Sequence, residues 1–322
     1  MENTAIISTM KRAPLTGLPA SVFQHPLDRQ ATENLKKIKG FDWLVKKVLE
    51  YGIERIEYVN HVGGAIRIGP RQMSRHYDML LECCSILDVP EPELYAQQGG
   101  VNAYTSGHTH PFIILETGLL EMMEDSEVMA VIAHELGHIK CGHVLYKMMA
   151  RGIKPLLEMA SNATMGIGGL VGAGIEAGLL VWDRRAELSA DRAALLVMQE
   201  ARPCVTMLMK LAGGTKRHAE WLNAEQFLNQ ARAYKEGLDQ SMTDRFYRFM
   251  ANRTTTHPFP VERARALDEW VNSPEYNNIL AGSYPAAGQM TKTISCPTCK
   301  QAAEQGAKFC LHCGTPLITH LA

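Results

Sequence analysis

Between Val131 and Val144 the chain reads VIAHELGHIKCGHV, and this stretch restricts the fold more than any other. His134, Glu135 and His138 stand in the order H-E-x-x-H. On a helix, side chains four residues apart share a face, so both imidazoles point the same way and could grip one Zn²⁺. Glu135 is then placed to take a proton from a water beside the metal. The flanks read as helix. Asp125 and Ser126 are candidate N-caps, Glu124 and Glu127 suit the positive end, and no proline intervenes before Pro155. Val128, Val131, Ile132, Leu136, Ile139, Leu145 and Met149 supply an apolar face. A buried helix can hold such a pattern by chance, so the reading needs a third ligand.

One zinc-peptidase pattern continues on the same helix with a glycine and then a histidine. Cys141 and Val144 occupy those positions here, so that pattern fails. His143 is five residues past His138, about 140° around the helix, and reads as a packing histidine or one that supports a ligand. The other pattern takes a Glu from a separate helix. Glu187 in A-E-L-S-A-D is the candidate, and Asp191, four residues on, can accept a hydrogen bond from a ligand imidazole. A Glu-x-x-x-Asp pair usually marks a solvated face. The apolar, alanine-rich flanks turn this one inward.

With these residues in place, the chain resembles the M48 peptidases, a gluzincin family that includes HtpX-like and Ste24-like enzymes. The resemblance covers roughly residues 60–270. It rests on N-A-Y-T with the apolar strand and G-L-L at Asn102–Leu120, H-E-L-G-H at 134–138, E-L-S-A-D at 187–191 and H-P-x-x-x-x-R at His257–Arg263. It implies a zinc endopeptidase with His134, His138 and Glu187 as metal ligands and Glu135 as general base to a zinc-activated water. It also offers His257 as a donor to the developing oxyanion. The same histidine could instead take zinc's fourth position in a resting state, or merely begin a helix.

In chain order, residues 1–30, with Pro14, Pro19 and Pro26, predict an extended arm around the body. Residues 31–51 have helical spacing. Ala65–Ile68 predicts a strand, Ser74–Leu87 a helix, Asn102–His110 a polar loop and Pro111–Glu116 an apolar strand whose edge could receive an extended peptide. Residues 155–182 are apolar and glycine-rich, with Gly168/Gly172 and Gly174/Gly178 at the spacing of packed helices. A single membrane span would put the histidines and Glu187 on opposite sides of the bilayer, so a helix pair or helix and loop is expected. Contact with a membrane surface stays open. Residues 183–200 predict a strong helix, residues 204–251 more helix with a turn at Gly213–Gly214, and residues 272–292 a linker.

The C-terminus carries Cys296, Cys299, Cys310 and Cys313 as C-x₂-C-x₁₀-C-x₂-C. Four thiolates at this spacing suit a closed, structural Zn²⁺ in a ribbon too small to fold on apolar burial alone. The remaining four of the eight cysteines, Cys83, Cys84, Cys141 and Cys204, lie in apolar patterns and read as reduced core residues. The N-terminus has no export layout, so no signal peptide is expected and the compartment reads as the reducing cytoplasm.

These readings predict an α+β fold: a mainly helical zincin-type metallopeptidase domain with a small β-sheet over residues 1–285, a linker at 286–293 and a Cys₄ zinc ribbon at 294–322. The expected metals are one catalytic and one structural Zn²⁺. Expected partners are a peptide bound as an extended strand and a protein met by the ribbon. A net charge of −1 and a weakly basic ribbon argue against nucleic acid. The competing reading is a catalytically silent scaffold of the same fold acting through its ribbon, but the intact Glu135 has no use there.

Overall fold

Phe112–Glu116 is apolar on both faces, and in the computed structural model it is an interior strand. The structure describes residues 12–38, 40–50, 52–150, 167–238, 259–285, 293–300, 302–304, 315 and 317. Four strands form the main sheet: β1 (Ala65–Ile68), β2 (Glu93–Gln97), β3 (Ala103–Ser106) and β4 (Phe112–Glu116), in spatial order β1-β2-β4-β3. β2 and β4 run parallel, with Tyr95 beside Ile114, and the outer pairs are antiparallel. Side chains alternate between faces. Tyr95, Phe112 and Ile114 pack with Tyr58 and Val62, while Leu94, Ala96, Ile113 and Leu115 enter the main core. The edge nearest the HExxH helix is therefore β3, not the Pro111–Glu116 strand, and Asn102–His110 is not wholly a loop. Its polar residues disguised it: Thr105 and Ser106 are buried by hydrogen bonds, to Glu135 and Glu57, rather than by apolar contact.

Four helices precede or flank β1: α1 (Ala20–Phe23), α2 (Pro26–Lys37), α3 (Phe41–Glu50) and α4 (Ile53–Val62). Of the expected extended arm, residues 1–11 lie outside the described residues; residues 12–19 are non-helical with a turn at Thr16–Gly17, and helix begins at Ala20. Leu15, Leu18 and Phe23 are buried, and Leu15 N donates to Ile86 O at 2.9 Å. After β1 come α5 (Ser74–Leu87), α6 (Thr117–Met122) and α7 (Asp125–Lys140). Glu124, rather than Asp125 or Ser126, caps α7. Glu124 and Glu127 form a reciprocal capping box, and Glu127 also pairs with Lys210 Nζ at 2.6 Å.

α7 stops at Lys140, sooner than its hydropathy suggests. Gly142 adopts φ +69°, Gly142 N donates to Ile139 O at 3.0 Å and His143 N donates to His138 O at 2.9 Å, a Schellman turn. Residues 144–150 are helical again. α8 (Ile167–Met198) follows as one helix of 32 residues, joining the glycine-rich stretch from Ile167 to the strong helix expected at 183–200. The rest of the segment expected as a helix pair or helix and loop, up to residue 166, lies outside the described residues. Among the described residues no helix is long and apolar enough to cross a membrane. α9 (Ala201–Gly213), a 3₁₀ turn (Lys216–Trp221), α10 (Ala224–Leu238), α11 (Pro260–Val271) and α12 (Pro274–Leu280) complete the helices described. α12 occupies part of the expected linker, anchored by buried Tyr276 and Ile279. β5 (Thr293–Ser295) pairs with β6 (Ala302–Glu304) as a separate antiparallel hairpin. Cys83, Cys84 and Cys204 lie in the main core as expected, and burial pushes the Cys84 thiol up to about 12.

α8 spans two cores. Ile175, Leu179, Trp182 and Ala186 pack with α2, α3 and the 144–150 helix, whereas Ala193–Met198 belong to the main core with α5, α7 and α9. α7 meets α8 at Gly137. A Cβ there would lie 2.6 Å from Ala193 Cβ and 3.0 Å from Ala190 Cα. Small residues on both helices thus set the spacing. Gly137→Ala is expected to force them apart and cost about 1–3 kcal/mol, read as a lowered denaturant midpoint.

Candidate metal centre

The close α7–α8 approach brings one face of each helix together. His134 and His138 from α7 and Glu187 from α8 are all buried, with ligand-capable atoms within 4.8 Å of one another. His134 Nε2 lies 3.3 Å from Glu187 Oε2, and His138 Nε2 lies 3.3 Å from Glu187 Oε1. Both rings therefore present the same nitrogen to one carboxylate. Their other nitrogens are occupied. His134 Nδ1 is 3.0 Å from Asp191 Oδ1, and His138 Nδ1 is 3.0 Å from His143 Nδ1. An acceptor on each Nδ1–H leaves each Nε2 as the atom able to donate a lone pair, so the donor set fits a metal of zinc's type.

Asp191 does for His134 what the i, i+4 spacing with Glu187 suggested. It is itself gripped by Arg263 of α11, whose Nε and Nη2 donate to Oδ2 and Oδ1 at 2.8 and 2.6 Å. Burial alone would raise the Asp191 pKa. The Arg263 guanidinium outweighs it and holds the carboxyl below its usual range. Arg263 Nη1 also lies 3.4 Å from Glu187 Oε2, and Lys147 Nζ reaches Glu187 Oε1 at 2.8 Å and Asp183 Oδ1 at 3.0 Å. The carboxylates face compensating cations rather than an apolar wall.

The cluster of ligand-capable atoms does not include His143, but the helical-wheel argument misplaces it. The Schellman turn folds it back beside His138, and its Nε2 meets Asp28 Oδ2 of α2 at 3.0 Å. Burial would raise the Asp28 pKa, yet His143 and the hydroxyl and amide donors around it lower the balance. Glu135 is buried beside the cluster, with Thr105 Oγ1 of β3 donating to its Oε2 at 2.7 Å. A cavity of about 460 Å³ is lined by Asn102–Thr105, Glu135, His138, Lys147, Asp183 and Glu187. A larger one, about 1050 Å³, opens between α4, the 90–93 loop and Met148, and holds none of the proposed metal ligands.

His134, Glu135, His138, Glu187 and Asp191 thus come together as the sequence predicts. His257, Cys310 and Cys313 lie outside the described residues. Cys296 follows β5 directly, with Cys299 in the turn before β6, and Lys300 N donates to Cys296 O at 3.0 Å. Thr105 and Arg263 fall inside the quoted motifs without a role having been read from them. Lys147 had no signal beyond one lysine on an apolar face. Asp28 had none at all.

The model of Peptidase family M48 matches residues 71–271. Plastoglobule-localized metallopeptidase 48 of Arabidopsis thaliana is 39% identical over 267 residues, 82% of this chain and 76% of that protein. Protease HtpX homolog 2 of Methanosarcina acetivorans is 25% identical over 173 residues, 47% of this chain and 59% of that protein. Protease HtpX homolog of Helicobacter pylori strain J99 is 26% identical over 201 residues, 55% of this chain and 60% of that protein. The chain therefore spans about three fifths of the two HtpX relatives. No solved structure matches.

The two histidines titrate oppositely in the metal-free protein. Burial would lower both. At His134, hydrogen bonds to Asp191 and Glu187 win and raise the pKa from 6.5 to about 9. At His138, burial and then Lys147 keep the ring neutral. Protonated His134 thus stabilises the metal-free fold fully below about pH 6.5, and that contribution is lost as pH rises through about 9. Metal uptake near pH 7.5 is expected to expel close to one proton, falling toward zero above pH ~10. Titration calorimetry in buffers of different ionisation enthalpy measures this count; a value independent of pH would place the displaced proton elsewhere.

Proposed function

The chain belongs to peptidase family M48, and from that premise we propose that it is a zinc-dependent endopeptidase with Glu135 as general base. The observation carrying the reading is the convergence of His134 Nε2, His138 Nε2 and the Glu187 carboxylate beside Glu135. Relatives named as a metallopeptidase and as proteases support the reaction class. His134, His138 and Glu187 would hold the zinc, which would supply a Lewis acid able to polarise a scissile carbonyl and acidify the attacking water. Glu135 accepts that water's proton and returns it to the leaving amine nitrogen. Thr105 Oγ–H donates to Oε2, which supports Oε1 as the oxygen that takes the proton. Asp191 and Arg263 hold the His134 ring, and Lys147 holds Glu187. His257 is proposed to donate to the oxyanion.

The substrate proposed is an extended peptide laid along the outer edge of β3. That strand ends the sheet order, and Ala103–Thr105 line the same cavity as Glu135. Strand addition reads backbone more than side chains, so broad sequence tolerance is expected. A silent scaffold would leave the hydrogen bond from Thr105 to a buried Glu135 without a purpose. The cytoplasmic placement rests on the scattered core cysteines.

Glu135→Gln is expected to keep zinc and fold while abolishing cleavage, because an amide cannot take the water's proton. The measurement is metal content together with turnover of a peptide library; a zinc-replete variant with full activity would move the base elsewhere.

A second, structural zinc is proposed on Cys296, Cys299, Cys310 and Cys313, in support of which Cys296 precedes and Cys299 lies in the turn of the β5–β6 hairpin. The hairpin would then be a module for meeting a protein. Removing residues 293–322 is expected to take away one zinc per chain and leave kcat/KM on a short peptide within about twofold. A collapse of peptide hydrolysis in a folded truncation would make the ribbon part of the active site.

A further inference from the structure

Asp28 lies outside the matched stretch, 71–271, and outside every motif of the sequence. It is nevertheless fully buried and ends a chain of contacts that begins at a metal-site histidine. His138 Nδ1 and His143 Nδ1 are 3.0 Å apart, and His143 Nε2 and Asp28 Oδ2 are 3.0 Å apart. An ionised carboxylate can only accept. The His143 proton therefore sits on Nε2, facing Asp28, and its Nδ1 is left as an acceptor. That acceptor draws the His138 proton to Nδ1 and leaves the His138 Nε2 lone pair directed at Glu187. Every bond direction in the chain follows from the one member that cannot donate.

Asp28 is itself held from several sides. Ser189 Oγ donates to Oδ2 at 2.6 Å, Gln24 Nε2 donates to Oδ2 at 2.9 Å, and Thr32 Oγ1 lies 3.4 Å from Oδ1. Ser189 comes from α8, two residues after Glu187, and its Oγ also accepts from His25 N at 2.9 Å. Trp182 packs edge-on against His143 at 5.4 Å between centroids and donates from Nε1 to Thr32 Oγ1 at 2.8 Å. The carboxylate already has donors enough without His143, so the imidazole is not there merely to satisfy it. His143 is instead fixed at both ring nitrogens, by His138 on one side and Asp28 of α2 on the other, while the Schellman turn holds its backbone.

We propose that Asp28, acting through His143, is a positioning residue for the metal centre: it fixes the tautomer and ring orientation of His138, so that the N-terminal helix α2 completes the site. Each histidine ligand then has its own carboxylate. His134 has Asp191 directly, and His138 has Asp28 by way of a second imidazole. This inference rests on reading His134, His138 and Glu187 as metal ligands.

The test is zinc affinity of the full chain, by competition with a chromophoric chelator, alongside the metal-free melting temperature. Asp28→Asn keeps the shape and removes the charge. His143→Gln removes the ring nitrogen facing His138 while keeping a side chain able to reach Asp28, and it decides the matter if Asp28→Asn fails to fold. Each is expected to weaken zinc binding by about 10–100-fold. The double variant should lose no more than the weaker-binding single variant, because both act on one chain of bonds. Losses that multiply in the double variant, or wild-type affinity in singles that only lose metal-free stability, would overturn the proposal. Glu187→Ala separates the premise: if it binds zinc like the wild type, the metal reading itself fails.

Discussion

The structure depends on how closely α7 and α8 can lie. Gly137, Ala190 and Ala193 leave no side chain between the backbones, and that contact places the imidazoles of one helix within reach of the carboxylates of the other. A wider crossing would keep all five residues in sequence and lose the site. The sheet then adds its edge from the opposite side, with Thr105 bonding to Glu135. The metal centre is thus assembled from elements whose separate apolar faces are satisfied in the surrounding cores, and its geometry follows from their packing.

Burying so many ionisable groups is costly unless each finds a partner. Here acids and bases alternate: Asp191 with Arg263, Glu187 with Lys147 and Arg263, Asp28 with His143. The arrangement fixes ring orientations through bonds on the far side of each imidazole. It also explains why the two histidines titrate in opposite senses. Both are buried and both meet Glu187, but His134 has the second carboxylate of Asp191, whereas His138 has the Lys147 ammonium nearby.

Much of this is legible in the sequence alone. The 3.6-residue periodicity marks α5 and α7, and the four-residue spacing in both motifs marks which atoms share a face. The polar strand β3 was not legible, because Thr105 and Ser106 are buried by hydrogen bonds to acids rather than by apolar contact. α7 looked longer than it is because Leu145 and Met149 continue its hydropathy beyond a turn that only Gly142's backbone reveals. The glycines suggest a break in α8, but Ile175, Leu179 and Trp182 seat one face of it in a core, and Gly178 packs closely against Leu35 and Ile38. Asp28 carries no periodic or motif signal. Its role exists only through contacts more than 100 residues away in sequence, with His143 and Ser189.

The continuity of α8 has a mechanical consequence. Its N-terminal half is seated in one core by Ile175, Leu179 and Trp182, its C-terminal half in another by Ala193–Met198, and Glu187 and Asp191 lie at the seam. A helix is stiff along its axis, rising about 1.5 Å per residue with little give. Any displacement of one core relative to the other is therefore delivered along the rod to the two carboxylates, and an imidazole–carboxylate contact responds to tenths of an ångström. The metal centre is placed where the molecule would register such a load first, as a strain gauge bonded across a joint.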